Sequence, residues 1–150
     1  MLIVELANPR DAGPRALLEA SHALMLETFP PEDNYFLDVE ELCAENIRFF
    51  AAREDDLTLG TGALSVAQGY GEVKSMFTAS EARGKGVAAA LLRQIEDQAR
   101  VEGLHTLKLE TGEALNAAIR LYENHGFTRC AIFGDYEPNS TSVYMEKHLG

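Results

Sequence analysis

The chain of 150 residues is long enough for one domain with its own core, and its 46% hydrophobic and 25% charged residues are ordinary for a globular protein. Its net charge of -11 argues against nucleic acid as a partner, because proteins bind DNA and RNA largely by neutralising phosphates with Lys and Arg. We therefore predict a single domain over residues 1–150.

The sequence contains no segment that predicts a membrane span or a signal peptide. The longest apolar run, residues 87–92, is far short of the roughly 20 residues that a spanning helix needs. The first ten residues include Glu5 and lack a basic start. The two cysteines, Cys43 and Cys130, are far apart and have no metal-like spacing. We predict a cytoplasmic protein without a membrane contact and without a metal site.

Hydrophobic periodicity and turn residues divide the chain into alternating strands and helices. In chain order they predict a strand over 2–6, a helix over 14–27, a short helix over 38–45, strands over 47–53, 57–67 and 72–78, a helix over 86–101, a strand over 104–110, a helix over 114–125, and strands over 127–133 and 141–147. The three central strands indicate an antiparallel meander, and the whole order indicates a mixed sheet with helices packed on it.

The segment from Glu81 to Ala90 carries two glycines and two cations between a predicted strand and an alanine-rich helix. A helix start exposes unpaired backbone N–H groups and the positive end of the helix dipole, which together favour a bound phosphate. Gly84 and Gly86 let the backbone approach closely, while Arg83 and Lys85 add positive charge. The segment therefore predicts a phosphate-binding site.

Three other interpretations of this segment exist. Residues 84–89 satisfy the dinucleotide pattern GxGxxA, but residues 79–83 separate them from the strand, and only 40 residues follow Glu110. A P-loop would need Ser or Thr after its Gly-Lys pair, and none stands there. The plainest alternative is that Gly84 and Gly86 only form a turn before a helix.

A further interpretation uses more of the chain. Arg83-Gly-Lys-Gly-Val-Ala88 matches R-x-x-G-x-G/A after a strand, and Ala118-Ile-Arg-Leu-Tyr-Glu-Asn-His-Gly-Phe127 follows one strand later. This pair resembles the GNAT superfamily of acyl-CoA-dependent N-acetyltransferases, especially small bacterial members with a Phe-Gly-x-Tyr segment, here Phe133-Gly-Asp-Tyr136. With Met76-Phe-Thr78 the resemblance covers about residues 72–133. It implies an α/β (α+β) fold: a mixed, mostly antiparallel sheet of six to seven strands flanked by about four helices.

The resemblance implies that acetyl-CoA is the acetyl donor. Its pyrophosphate would be held by the loop of Arg83, Gly84, Lys85, Gly86, Val87 and Ala88. Its pantetheine arm would pair with a splayed strand at Met76, Phe77 and Thr78. A backbone amide near Met76 or Phe77 would then polarise the thioester carbonyl.

Direct attack by an amine is expected, because no Cys or Ser stands in a nucleophile-and-base pattern. The resemblance assigns Tyr122 as the general acid; the alternative is that this aromatic side chain only packs. Glu72 and Glu110 are the candidates for a general base, with Glu72 preferred, because burial on a strand would raise the pKa of either carboxylate.

The expected acceptor is a small-molecule amine or an exposed amino group, in a pocket walled by residues 30–36 and 134–140. Many family members have Asn where this chain has Leu115, so a contact from the neighbouring Asn116 is in doubt. The alternative function is a non-catalytic acyl-CoA-binding sensor or regulatory module. A homodimer formed through exposed sheet edges is compatible with this order of elements.

Overall fold

The computed structural model describes every residue from Met1 to Gly150. Seven strands form one sheet, and three α-helices pack against it. The strands are β1 (Leu2–Leu6), β2 (Ile47–Glu54), β3 (Leu57–Val66), β4 (Gly71–Thr78), β5 (Thr106–Gly112), β6 (Thr128–Arg129) and β7 (Ser142–His148). The helices are α1 (Ala12–Thr28), α2 (Val87–Val101) and α3 (Asn116–Asn124). None of these helices has the length and apolar character needed to cross a membrane.

The sheet consists of two antiparallel parts that meet at one parallel pair. Its strand order is β1-β2-β3-β4-β5-β7-β6, and every neighbouring pair is antiparallel except β4 and β5. A parallel pair needs a crossover connection, and α2 provides it. The predicted mixed, mostly antiparallel sheet is confirmed.

Helix α2 carries the apolar stripe that its sequence predicts. Its buried apolar residues recur at helical spacing: Val87, Leu91, Leu92, Ile95 and Ala99. All of these except Val87 have no exposed surface. Full burial of one such Leu or Ile side chain contributes about 1.5–3 kcal/mol. Gly60 of β3 lets the helix start approach closely, because a Cβ there would lie 2.6 Å from Cγ1 of Val87. The start of α2 is therefore held against the sheet beside β4.

Helix α1 covers the opposite face of the sheet. Adjacent residues of a strand point to opposite faces, and Phe49 and Phe50 of β2 do so here. Phe50 joins the core beneath α2, whereas Phe49 packs in a smaller cluster with Leu18 of α1, Leu42 and Ala63.

Two predicted elements are wrong. The helix expected over 38–45 is a single 3-10 turn, Glu41–Cys43. Asp38 and Glu41 each accept a hydrogen bond from the other's backbone N–H, at 2.8 and 3.0 Å, and this exchange closes one turn without extending it. The helices are therefore three, not about four.

The strand expected over 127–133 pairs only at Thr128–Arg129. Beyond it, Phe133 leaves the sheet direction and makes edge-to-face contacts with the rings of Tyr70, Tyr136 and Tyr144 at 5.3–5.8 Å between centroids. Aromatic packing thus replaces strand pairing in this segment.

Candidate active site

Strands β4 and β5 separate after a short paired region. They pair only between Gly71–Val73 and Leu107–Leu109, although both strands continue beyond these residues. Met76, Phe77 and Thr78 lie in the part of β4 that does not pair with β5. The resemblance implied a splayed strand at these residues. Backbone groups on this side of β4 can therefore pair with an extended ligand.

A β-bulge in β4 shapes this opening. Ser75 has a φ of 56°, which is unusual for a residue other than glycine, and Ser75 and Met76 together stand opposite Gly62 of β3. The fully buried Thr61 donates a hydrogen bond of 2.8 Å from Oγ1 to the carbonyl oxygen of Ser75. This bond holds the bulge, which redirects the following backbone of β4.

The phosphate loop, residues 83–88, lies at the start of α2. Gly84 and Gly86 have φ values of 79° and 78°, and open space surrounds the position of a Cβ at each. The backbone N–H groups from Gly84 to Ala88 have no hydrogen-bond partner within the chain, and no side chain caps α2. Arg83 and Lys85 are exposed beside these amides. Free amides and two nearby cations are groups that suit a diphosphate, so phosphate binding stays a prediction for this loop.

A cavity of about 130 Å³ occupies the opening between β4 and β5. It is lined by α1, residues 33–36, β4, the end of β5 and α3, and we call it the acceptor cavity. The predicted wall over residues 134–140 is wrong, because none of these residues borders the cavity. Met76 and Tyr122 both border it, so two of the predicted site residues meet there. Leu115 also borders it, whereas Asn116 is exposed and does not.

Tyr122 lies on α3 with only 6% of its surface exposed. Its ring packs edge to face on Phe127, 5.7 Å between centroids, and its hydroxyl has no hydrogen-bond partner within the chain. Burial raises the pKa of Tyr122 well above its ordinary value, and the charge of Glu110 raises it further. Tyr122 therefore both packs and presents a protonated hydroxyl at the cavity.

Glu110 lies near the end of β5 and borders the acceptor cavity. Burial raises the pKa of its carboxyl, while a hydrogen bond of 2.7 Å from Ser142 Oγ and the charge of Lys74 oppose this shift. A carboxylate with a raised pKa next to a protonated hydroxyl can take a proton while the hydroxyl donates one.

Glu72 does not border the cavity, in contrast to Glu110. Its Oε2 accepts a hydrogen bond from the Tyr136 hydroxyl and lies 3.5 Å from Lys74 Nζ. Burial and the Glu72 charge raise the pKa of Tyr136, so this hydroxyl remains a donor. Glu72 thus anchors the segment that contains Tyr136 to β4.

Sequence reasoning did not identify Lys74, Ser75 or Phe29 as site residues. Lys74 and Ser75 stand in an ordinary strand pattern, and no glycine marks the bulge. Phe29 fills the space above Gly112, where a Cβ would lie 2.0 Å from the Phe29 ring, and this glycine was the one available signal.

Comparison with known proteins identifies the family. The sequence model of the acetyltransferase (GNAT) family matches residues 16–127. An "IAA acetyltransferase" from Azospirillum brasilense is 41% identical over 135 residues, which cover 89% of this chain and 88% of that protein. The chain therefore belongs to the GNAT family and is an N-acetyltransferase, a class of enzyme whose acetyl donor is acetyl-CoA.

Solved structures agree with this assignment. A candidate acyl-CoA N-acyltransferase from Klebsiella pneumoniae is 34% identical, with a TM-score of 0.87 over 100% of this chain and 99% of that one. The protein yncA from Salmonella typhimurium, solved with its cofactor acetyl-CoA, shares the fold at 19% identity and a TM-score of 0.75, over 99% of this chain and 94% of that one.

Proposed function

We propose that this enzyme transfers an acetyl group from acetyl-CoA directly to the primary amine of a small molecule or to an exposed amino group. The observation that carries the proposal is that Glu110 and Tyr122 border one cavity, at the place where β4 and β5 separate. A group that takes a proton and a group that donates one are thus available at the same opening.

The donor is held largely by backbone in this proposal. The free amides of the phosphate loop, with Arg83 and Lys85, bind the pyrophosphate, and the open edge of β4 from Met76 to Thr78 pairs with the pantetheine arm. A backbone amide near Met76 or Phe77 donates to the thioester carbonyl oxygen, a contribution of about 3–4 kcal/mol where it has been measured.

The acceptor side depends on two side chains. Glu110 takes one proton from the incoming ammonium, and the neutral nitrogen then forms a bond to the carbonyl carbon while the carbon–sulfur bond breaks. The second proton leaves the nitrogen for the departing thiolate or for solvent. Tyr122 donates a hydrogen bond to the departing sulfur. Because the pKa of Tyr122 is raised far above that of an ordinary thiol, near 8.5, hydrogen bonding to the thiolate is favoured over complete proton transfer.

Glu110 replaces Glu72 as the proposed base. The sequence favoured Glu72, but Glu72 lies outside the cavity lining and already accepts the Tyr136 hydrogen bond. Glu110 borders the cavity, and its partner Ser142 leaves the rest of the carboxylate free to accept a proton.

A non-catalytic acyl-CoA-binding module is the rival function. It would keep the phosphate loop but would have no use for a titratable carboxylate and a protonated tyrosine in a common cavity. The two functions differ in one measurement: a sensor binds CoA tightly and releases no thiol with any amine.

Release of free CoA thiol from acetyl-CoA, followed with a panel of primary amines and amino-terminal peptides, tests the proposed function. Turnover with at least one amine supports it, with calorimetric binding of CoA as the control for a folded donor site. Absence of CoA binding in calorimetry would sink the proposal, and binding without transfer would favour the sensor.

A further inference from the structure

Building on the proposed function, we propose that the acceptor is a cationic amine without a carboxylate group, such as an alkylamine, an amino amide or a peptide amino terminus, rather than a free amino acid. The inference depends on the charged groups of the acceptor cavity and on which of them already have partners within the chain.

Only three charged side chains border the acceptor cavity: Asp33, Lys74 and Glu110. Tyr122 borders the same cavity, and its hydroxyl has no hydrogen-bond partner in the chain, so it is free to contact a ligand there. The ligand's charge should complement whatever net charge these three side chains present to it.

Lys74 is already occupied. An ammonium has three N–H donors, and three oxygens surround this one: the Tyr35 carbonyl at 3.1 Å, the Tyr136 hydroxyl at 2.8 Å and Glu72 Oε2 at 3.5 Å. Only 12% of the Lys74 side chain is exposed. Glu72 neutralises this cation, and two of its three donors are committed to hydrogen bonds with Tyr35 and Tyr136, so Lys74 is poorly placed to bind a substrate carboxylate.

Asp33 and Glu110 remain without a cationic partner. Asp33 Oδ2 accepts a hydrogen bond of 2.9 Å from Thr141 Oγ1, and Glu110 accepts one from Ser142 Oγ, but neither carboxylate forms an ion pair. A partly buried carboxylate that accepts hydrogen bonds only from neutral donors keeps an uncompensated charge, which costs free energy. A nearby cation stabilises such a carboxylate. The cavity therefore presents net negative charge to the acceptor.

This net negative charge should make the cavity prefer some amines over others, according to the charge of the group next to the reacting nitrogen. A free amino acid would bring its carboxylate next to Asp33 and Glu110, and like charges in close contact cost several kcal/mol. An amino amide or a peptide amino terminus has a neutral carbonyl at that place, and an alkylamine has none.

The test uses matched triplets that differ only in this group: alanine, alaninamide and ethylamine, and phenylalanine, phenylalaninamide and phenethylamine. The rate of CoA thiol release gives kcat/KM for each at saturating acetyl-CoA. We expect the amide and the alkylamine to exceed the amino acid by about tenfold or more in each triplet. An amino acid that equals or exceeds its amide overturns the inference and leaves the proposed function intact, whereas no turnover with any amine overturns the proposed function as well.

A pair of variants tests the role of Asp33 separately. Asp33→Asn keeps an oxygen that can accept the Thr141 hydrogen bond but removes the charge. The ratio of kcat/KM for the amide to kcat/KM for the amino acid should therefore decrease. Glu32→Gln is the matched control, because Glu32 is exposed and does not border the cavity. A preference that stays the same in Asp33→Asn, or narrows equally in Glu32→Gln, would contradict the assigned electrostatic role.

Discussion

The phosphate loop and the acceptor cavity are built in different ways. The loop offers backbone N–H groups from Gly84 to Ala88 that have no partner in the chain, and no side chain holds it. In the cavity, polar side chains from distant segments hold one another: Thr141 binds Asp33, and Lys74 binds the Tyr35 carbonyl and the Tyr136 hydroxyl.

This difference teaches which part of the site tolerates change. A backbone site depends on local φ and ψ values, so substitution of its exposed side chains should matter less than loss of a glycine. A side-chain site depends on long-range contacts, so a single lost hydroxyl there should disturb several neighbours. Changes in the loop should thus affect the donor, and changes in the cavity should affect the acceptor.

The largest expected effect is that of Glu110→Gln. Loss of the proposed base should lower kcat by roughly 10²- to 10⁴-fold and leave CoA affinity unchanged. In the parent enzyme kcat/KM should rise with pH as Glu110 loses its proton, at a higher pH than for an ordinary glutamate because burial raises its pKa. The variant should lack this rise in a pH profile of CoA thiol release.

Glu113→Gln is the control for this variant, because Glu113 follows β5 and is exposed, with Arg129 as its partner. It should turn over normally. If Glu110→Gln also turns over normally, water or another group accepts the proton.

Tyr122→Phe should have the next largest effect. The ring still packs on Phe127, but the departing sulfur loses its hydrogen-bond donor. A hydrogen bond to a charged group contributes about 1.5–3 kcal/mol, so kcat should fall by about 10- to 100-fold. Calorimetry should show unchanged CoA binding. A normal kcat would show that solvent donates the hydrogen bond to the thiolate and that Tyr122 only packs.

A smaller effect on the donor side is expected from Gly86→Ala. Alanine at a φ of 78° costs about 1–2 kcal/mol, and relaxation to a negative φ would turn the amides away from the ligand. CoA binding should therefore weaken by about 5- to 30-fold. Gly103→Ala is a matched control, because Gly103 has a φ of 76°, open space around it and a place at the other end of α2. Both variants should lose similar thermal stability, and equal loss of CoA affinity in both would argue against the phosphate loop.

Tyr136→Phe should raise KM for the amine several-fold and leave CoA affinity unchanged. The lost hydroxyl donates to Glu72 and accepts from Lys74, so both charged groups lose a partner, at a cost of about 1.5–3 kcal/mol in stability. Steady-state kinetics with the amine varied would show the split between KM and kcat. A change in kcat alone would place Tyr136 in the chemistry instead of in the support of the cavity.

The fold and the conformation of the loop before α2 were predictable from the sequence because both depend on local signals. The spacing of Val87, Leu91 and Ile95 predicts helix α2, and Gly84 and Gly86 predict the loop before it. The helix expected over 38–45 failed because an exchange of side-chain hydrogen bonds, which periodicity does not record, closes a single turn there.

The acceptor cavity was only partly predictable, since its contacts join residues far apart in sequence. Residues 134–140 were expected to wall the pocket, but none of them borders the cavity; Tyr136 instead bonds to Glu72 and Lys74, an arrangement that depends on how two loops meet over β4. Ser75 takes a positive φ because Thr61 binds its carbonyl, and neither residue type predicts this alone. The sequence could not decide between Glu72 and Glu110 as the proposed base, because the decision depends on where β4 and β5 separate.

The smallest expected effect concerns stability, where Glu110→Gln should act in the opposite direction from its effect on rate. Because burial raises the pKa of Glu110 in the folded state, the unfolded chain loses this proton at lower pH than the folded one. Below the unfolded pKa both states are protonated and the buried carboxyl carries no charge penalty. As pH rises through the folded pKa, the folded state must hold a buried charge and loses stability relative to the variant. Melting temperatures measured between about pH 4 and pH 8 should therefore coincide at the acidic end and favour Glu110→Gln at the basic end. A less stable variant at pH 8 would mean that the Ser142 hydrogen bond outweighs the cost of burial, and that Glu110 is not held in the acceptor cavity at the expense of stability.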